Sequence, residues 1–145
     1  MEPIEGDKHQ RIVQFVEVCV DGESVSFVNL HLSNRQAYAE KQLEEVLQSV
    51  GARSMFIGGD FNLYNMAPIE ELRGDYVLSY DLGGPYVTNT DKTDGSRHAL
   101  DHILAPKGYE MSSVEVIDQS ISDHSPLLVV IETQYTTLLS SIVVE

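Results

Sequence analysis

Four short polar clusters, each at the end of an apolar run, bring together side chains that could do chemistry. They are Asn29-Leu30-His31-Leu32, Gly58-Gly59-Asp60-Phe61-Asn62, Leu100-Asp101-His102-Ile103-Leu104 and Ser122-Asp123-His124-Ser125-Pro126-Leu127. Asp60, Asn62 and Asp123 offer oxygen donors. Magnesium takes such ligands, using one or two carboxylates together with water and substrate phosphate. His31 and His124 can donate a hydrogen bond or a proton, because an unperturbed imidazole titrates near pH ~6.5. A carboxylate such as Asp101 would orient His124 and favour its charged form. Together these groups supply a base for water, a cation for developing charge and donors for phosphoryl oxygens, as hydrolysis of a phosphate ester requires. The glycine pair beside Asp60 would also let backbone approach a ligand closely.

Each cluster alone has an ordinary explanation. Asp60 can cap a turn after two glycines, Asn62 is a common turn residue, and Asp123-His124 before Ser125-Pro126 can form an Asx-type loop. His31 can be a hydrogen-bonded surface histidine. His102 alternates away from Asp101 along a strand and reads as structural, and His9, His98 and Cys19 take structural or solvent roles. Recurrence outweighs the separate readings: four clusters, each at the end of an apolar run, describe one site assembled from strand ends.

The positioning elements follow from periodicity. Ile12, Val13, Phe15, Val16, Val18 and Val20 form a β-branched and aromatic run, Asp21-Gly22-Glu23 has turn chemistry, and Val25 to Leu32 is a second strand; the pair predicts a β-hairpin. Ser33 reads as the N-cap of a helix with Gln36 as its capping-box partner. Ala39, Leu43, Val46, Leu47 and Val50 then recur at helical spacing up to Gly51. Arg53 to Gly59 returns as an apolar strand, so strand, helix and strand make a crossover with parallel pairing. Pro68 opens one or two helical turns. Tyr76 to Tyr80 reads as a strand, Leu82 to Arg97 as a long loop, and Ala99–Leu104, Ser112–Asp118 and Leu127–Glu132 as further strands. Residues 1–10 read as a flexible segment, 11–132 as a partial domain and 133–145 as a tail.

Composition narrows the class. The 145 residues are 42% hydrophobic and 22% charged, which suits one globular domain with a real core. No apolar run approaches the roughly 20 residues of a membrane helix, and Met1 to Asp7 lacks the features of a signal peptide. A cytoplasmic location is expected, consistent with a single cysteine, Cys19, read as a buried thiol in an apolar run. The net charge of −14, from 9 Lys and Arg against 23 Asp and Glu, disfavours tight nonspecific binding to nucleic acid or to an anionic membrane.

Taken in order, the four clusters resemble successive motifs of the endonuclease/exonuclease/phosphatase superfamily, the DNase I-like fold. Arg35-Gln36 stands where that family places an Arg-x-x-Gln helix. The resemblance covers about Arg11 to Glu132. It implies an α/β (α+β) architecture: the C-terminal half of a four-layer α/β/β/α sandwich, with one mixed sheet and covering helices. It also implies metal-dependent phosphodiester or phosphomonoester hydrolysis with Mg2+ or Mn2+. Asp60 would orient or deprotonate water, Asn62 would hold the phosphate or metal shell, and Asp123 would reach the metal. His124 would contact phosphoryl oxygens, Asp101 would orient it, and His31 would assist at the phosphate or leaving group. The family's first half, with its glutamate metal ligand, has no counterpart here. The resemblance therefore implies a complementary N-terminal half chain, or a homodimer that covers an apolar sheet face, and an isolated chain of weak or no activity. The alternative is a noncatalytic binding or assembly module. The sequence holds no tryptophan, and the loop before Leu100 departs from the Trp/Pro-rich character of many relatives.

Overall fold

The computed structural model describes residues 11–20, 22–90, 94–118, 122–133 and 136–144. His9 and the other nine residues of the initial segment lie outside them.

Strands β1 (Val13–Val20) and β2 (Glu23–His31) form the expected antiparallel hairpin, with Val13 opposite Leu30 and Val20 opposite Glu23. Helix α1 (Gln36–Val50) buries Ala39, Leu43, Val46 and Val50 and ends at Gly51, whose φ of 58° suits a residue without Cβ. It returns the chain to β3 (Phe56–Asp60), which pairs parallel to β2. The start of α1 differs from the capping box read in the sequence. The N-cap is Arg35, without a side-chain cap bond. Ser33 is fully buried: its N–H donates to Gln42 Oε1 at 2.8 Å and its Oγ accepts from the Arg35 N–H at 3.3 Å. Gln36 is drawn instead to the loop after β3, where its Oε1 accepts from the N–H groups of Tyr64 (2.9 Å) and Asn65 (3.3 Å). Loop donors distant in sequence outcompete the local cap.

After α2 (Ala67–Glu70) and a 3-10 turn (Glu71–Gly74), β4 spans only Tyr76–Leu78, because Ser79 begins α3 (Ser79–Gly83). The segment read as a long loop opens within α3. It also holds a short ladder of β5 (Asn89–Thr90) with β6 (Arg97–His98). Strands β7 (Asp101–Pro106), β8 (Tyr109–Val116) and β9 (Leu127–Thr133) follow. Within the segment read as a tail, Thr136–Val144 forms β10, antiparallel to β9.

The mixed sheet expected from the sequence runs β1-β2-β3-β7-β4, and a second, three-stranded sheet β10-β9-β8 adds to it. Alternation sends Val28, Leu30, Ile57 and Leu104 to the α1 side and Phe56, Ile103 and Ala105 to the other. There they pack on Met111, Leu127, Val129 and Ile131, each buried side chain contributing roughly 1.5–3 kcal/mol. The expectation of an uncovered sheet face is thus corrected at β3 and β7, where β8 and β9 cover it. Toward β1, among the described residues, it stays open: Val16 is 43% and Val18 40% exposed. Cys19, expected to be buried, is exposed, because β1 is the outermost strand of its sheet. Among the described residues no helix is long and apolar enough to cross a membrane.

Candidate active site

Strand register builds the site. His31 ends β2, Asp60 ends β3 and Asp101 begins β7, with His31 opposite Asp60 and Asp60 opposite Asp101. Three side chains therefore stand in a row on the face that β9 approaches, about 4.8 Å apart from strand to strand. Gly59 makes this possible. Its φ is 134°, and an added Cβ would collide with the Leu30 carbonyl oxygen. Strand contact, rather than approach to a ligand, is what demands a glycine at this position. Beyond β3 the chain turns at Asn62, with φ 50° and only 6% exposure. Its N–H donates to Asp60 Oδ1 and its Nδ2 to Asp60 Oδ2, both at 2.9 Å, while Nδ2 also reaches the Leu32 carbonyl at 3.1 Å. A carbonyl can only accept, which fixes the amide orientation: Asn62 presents nitrogen to Asp60 and locks its carboxylate in place.

His124 arrives on the loop before β9. The loop is tied down by a bridge between Asn89 and His124, by Thr90 N–H to the Asp123 carbonyl (3.0 Å) and by Ser125 N–H to the Thr88 carbonyl (2.7 Å). Thr88 Oγ1 accepts from the N–H groups of both Leu100 and Asp101 at 3.1 Å, anchoring the start of β7. Thr88 and Asn89 are the positioning residues that sequence reasoning missed, and nothing local to Thr-Asn in a polar segment marks them. His124 Nδ1 lies 2.8 Å from Asp101 Oδ2, as Asp101 orienting His124 requires. Asp60 Oδ2 is 3.9 Å from His124 Nε2 and 3.4 Å from His31 Nε2. These groups face a cavity of about 430 Å³ lined also by Gln14 and Asn29, which are joined by a 3.1 Å hydrogen bond. Asn62 lies behind Asp60 rather than in the lining, and Asp123 is exposed beside Ser122, also outside the lining.

Burial, and then the neighbouring Asp101 carboxylate, push Asp60 up to about 6. The hydrogen bond to Asp101 raises His124 above its ordinary value. His31 is lowered, by burial first and the Arg11 charge second. His102, on the α1 face and 1% exposed, stays apart from this chemistry. Its Nε2 donates to the Ala99 carbonyl (3.1 Å), so Nδ1 accepts from the Tyr86 hydroxyl (2.9 Å), and burial brings it down to about 4. It is a neutral structural histidine, as alternation along the strand predicts.

Among the described residues no three His, Cys, Asp or Glu side chains gather into a ready metal centre. The donors fit a hard cation in its sparsest form, with one or two carboxylates and the remaining positions left to water and substrate. Asp60 suits that role because burial and Asp101 both oppose its charge, which a cation would offset.

The sequence matches the Endonuclease/Exonuclease/phosphatase family over residues 5–124. No curated protein matches it. Among solved structures it is similar to a humanized D. rerio TDP2 with 14 mutations, at TM-score 0.72 and 17% identity, covering 88% of this chain and 63% of that one. It is also similar to D. rerio TDP2 complexed with single strand DNA product, at TM-score 0.68 and 20% identity, covering 84% and 62%. An endonuclease/exonuclease/phosphatase from Beutenbergia cavernae DSM 12333 aligns at TM-score 0.68 and 17% identity, over 90% and 48%. At these identities the likeness is one of fold, and this chain spans less than two thirds of each structure. The family match takes in all four polar clusters as far as His124, and the chain belongs to the Endonuclease/Exonuclease/phosphatase family.

Proposed function

We propose that this chain carries the hydrolytic centre of a divalent-cation-dependent phosphoesterase of phosphodiesterase, nuclease or phosphatase type, completed by a complementary N-terminal half chain or a second copy. One observation carries the reading: Asp60 Oδ2 stands between the Nε2 atoms of His31 and His124, with Asp101 bonded behind His124. Asp60, which burial and Asp101 make a stronger base than an ordinary aspartate, orients the attacking water or takes its proton. Mg2+ or Mn2+ would be held by Asp60, which lines the cavity where Asn62 and Asp123 do not, with water and substrate phosphate as its other ligands, and would supply positive charge for the phosphoryl oxygens. His124, kept protonated to higher pH by Asp101, donates to a phosphoryl oxygen. His31, biased toward its neutral form, hydrogen-bonds at the phosphate or leaving group. The completing partner is supported by the exposed apolar residues along β1.

Hydrolysis of bis-p-nitrophenyl phosphate with magnesium or manganese tests the assignment. A low rate is expected from the isolated chain, falling to background in Asp60→Asn and in His124→Ala; rates equal to wild type in both variants would overturn it. The sparse donor set also supports a second reading, a binding or assembly module without a competent metal site. Calorimetric titration with magnesium separates the two, since that module takes up no ion.

A further inference from the structure

We infer that Tyr64 and His98 form a ring-stacking subsite for a nucleobase, so that the phosphate ester is a nucleotide or the end of a single-stranded nucleic acid. The inference rests on the phosphoesterase reading and narrows its substrate class. Tyr64 lies two residues beyond Asn62 and is 54% exposed. A surface tyrosine can be incidental, but this one is braced on three sides. Its N–H donates to Gln36 Oε1 at 2.9 Å, and the following residue bonds to the same oxygen. Asn65 Oδ1 then accepts from the Ala67 N–H at 3.1 Å, fixing the loop onto α2. The Tyr64 ring meets His98 edge to face, with centroids 4.8 Å apart and planes at 80°, and His98 Nε2 lies 3.0 Å from Ser96 Oγ. An edge-to-face pair occupies one ring face of the four, so Tyr64 keeps at least one face that His98 does not cover.

The pair is also placed beside the reacting centre. Asn89 pairs with His98 on one side and bridges to His124 on the other. His98 is thus two strand spacings from His124, about 10 Å, a distance that a sugar and its base can span. Stacking suits this chain for an electrostatic reason too. With a net charge of −14 it cannot track a long polyanion through counterion release, whereas base stacking needs no basic surface and accepts every base. The recognised ligand is therefore short, or the end of a strand.

Calorimetry on the full chain with magnesium tests this using a phosphorothioate dinucleotide of thymidine, the same linkage between base-free sugars, and a short phosphorothioate oligothymidine. The dinucleotide is expected to bind about tenfold more tightly than the base-free probe, the size of one stacked base. That preference collapses in Tyr64→Leu and persists in Tyr64→Phe, with thermal midpoints confirming that both variants fold. Tighter binding of the oligonucleotide than of the dinucleotide assigns a strand end, and equal binding assigns a nucleotide. Equal affinity of wild type for base-bearing and base-free probes, no binding of either base-bearing probe, or a preference that survives Tyr64→Leu overturns the subsite. The readout is binding, so an inactive chain that keeps the base preference would sink the hydrolytic reading and leave the subsite standing.

Discussion

Asp60 is stabilised by geometry and destabilised by electrostatics at the same position. Two hydrogen bonds from Asn62 fix its carboxylate, while burial and Asp101 raise its pKa from 3.8 to about 6. An acid raised in the folded state contributes stability that is present below about pH 3.8 and is lost as pH rises through 6. At pH 8 without metal, the charged form therefore costs up to roughly 3 kcal/mol. Asp60→Asn removes this charge cost but sets an amide nitrogen against an Asn62 donor, so its unfolding free energy relative to wild type should be about 1–3 kcal/mol more favourable at pH 8 than at pH 3.5; urea unfolding at the two pH values checks this, and an equal difference at both would contradict it. With magnesium holding Asp60 ionised, the rate of hydrolysis should fall at higher pH as His124 loses its proton, measured as a pH–rate profile. His102 has the opposite linkage to Asp60. With its pKa depressed to about 4, its contribution is full above pH 6.5 and declines as pH falls toward 4. Imidazole NMR should show His102 neutral at pH 5, and a protonated ring there would refute its burial-driven shift. His31, Asp60, Asp101 and His124 were legible as residues, because polar side chains stand out at the ends of apolar runs. Thr88 and Asn89 were not, since their partners lie across the fold and their own neighbours announce nothing.

At the scale of elements, β3 depends on Gly59. Ala at this position would force a Cβ against the Leu30 carbonyl and a side chain into a φ of 134°. Gly59→Ala should cost about 3 kcal/mol or more, whereas Gly51→Ala, at a φ of 58° with only Gln48 O nearby at 3.8 Å, should cost about 1 kcal/mol. Chemical denaturation of both variants checks the ranking, and equal losses would contradict it. The hairpin and α1 were legible because each repeats its apolar pattern over eight or more residues, and the parallel return because a strand joined to β2 through a helix pairs parallel to it. Shorter or nonlocal features were hidden. The β5–β6 ladder has two residues in each strand, β10 needs β9 as a partner, and Gln36 serves a loop 28 residues away rather than its own helix end.

For the molecule as a whole, the unfinished region is β1. It is the outermost strand of the five-stranded sheet, with Val16 and Val18 exposed on one face and Phe15, 47% exposed, on the other. Apolar surface left in water favours association at about 25 cal/mol per Å² buried. Sedimentation of the isolated chain should therefore show concentration-dependent association that Val16→Lys with Val18→Lys abolishes; association unchanged by both substitutions would place the interface elsewhere. Most direct for the central claim is a titration of the imidazole resonances with inorganic phosphate in the presence of magnesium. The proposed centre predicts saturable shifts at both His31 and His124, with His98 and His102 unmoved. Shifts at neither His31 nor His124, or shifts at His98 and His102 in their place, would show that phosphate does not bind between Asp60 and its two histidines.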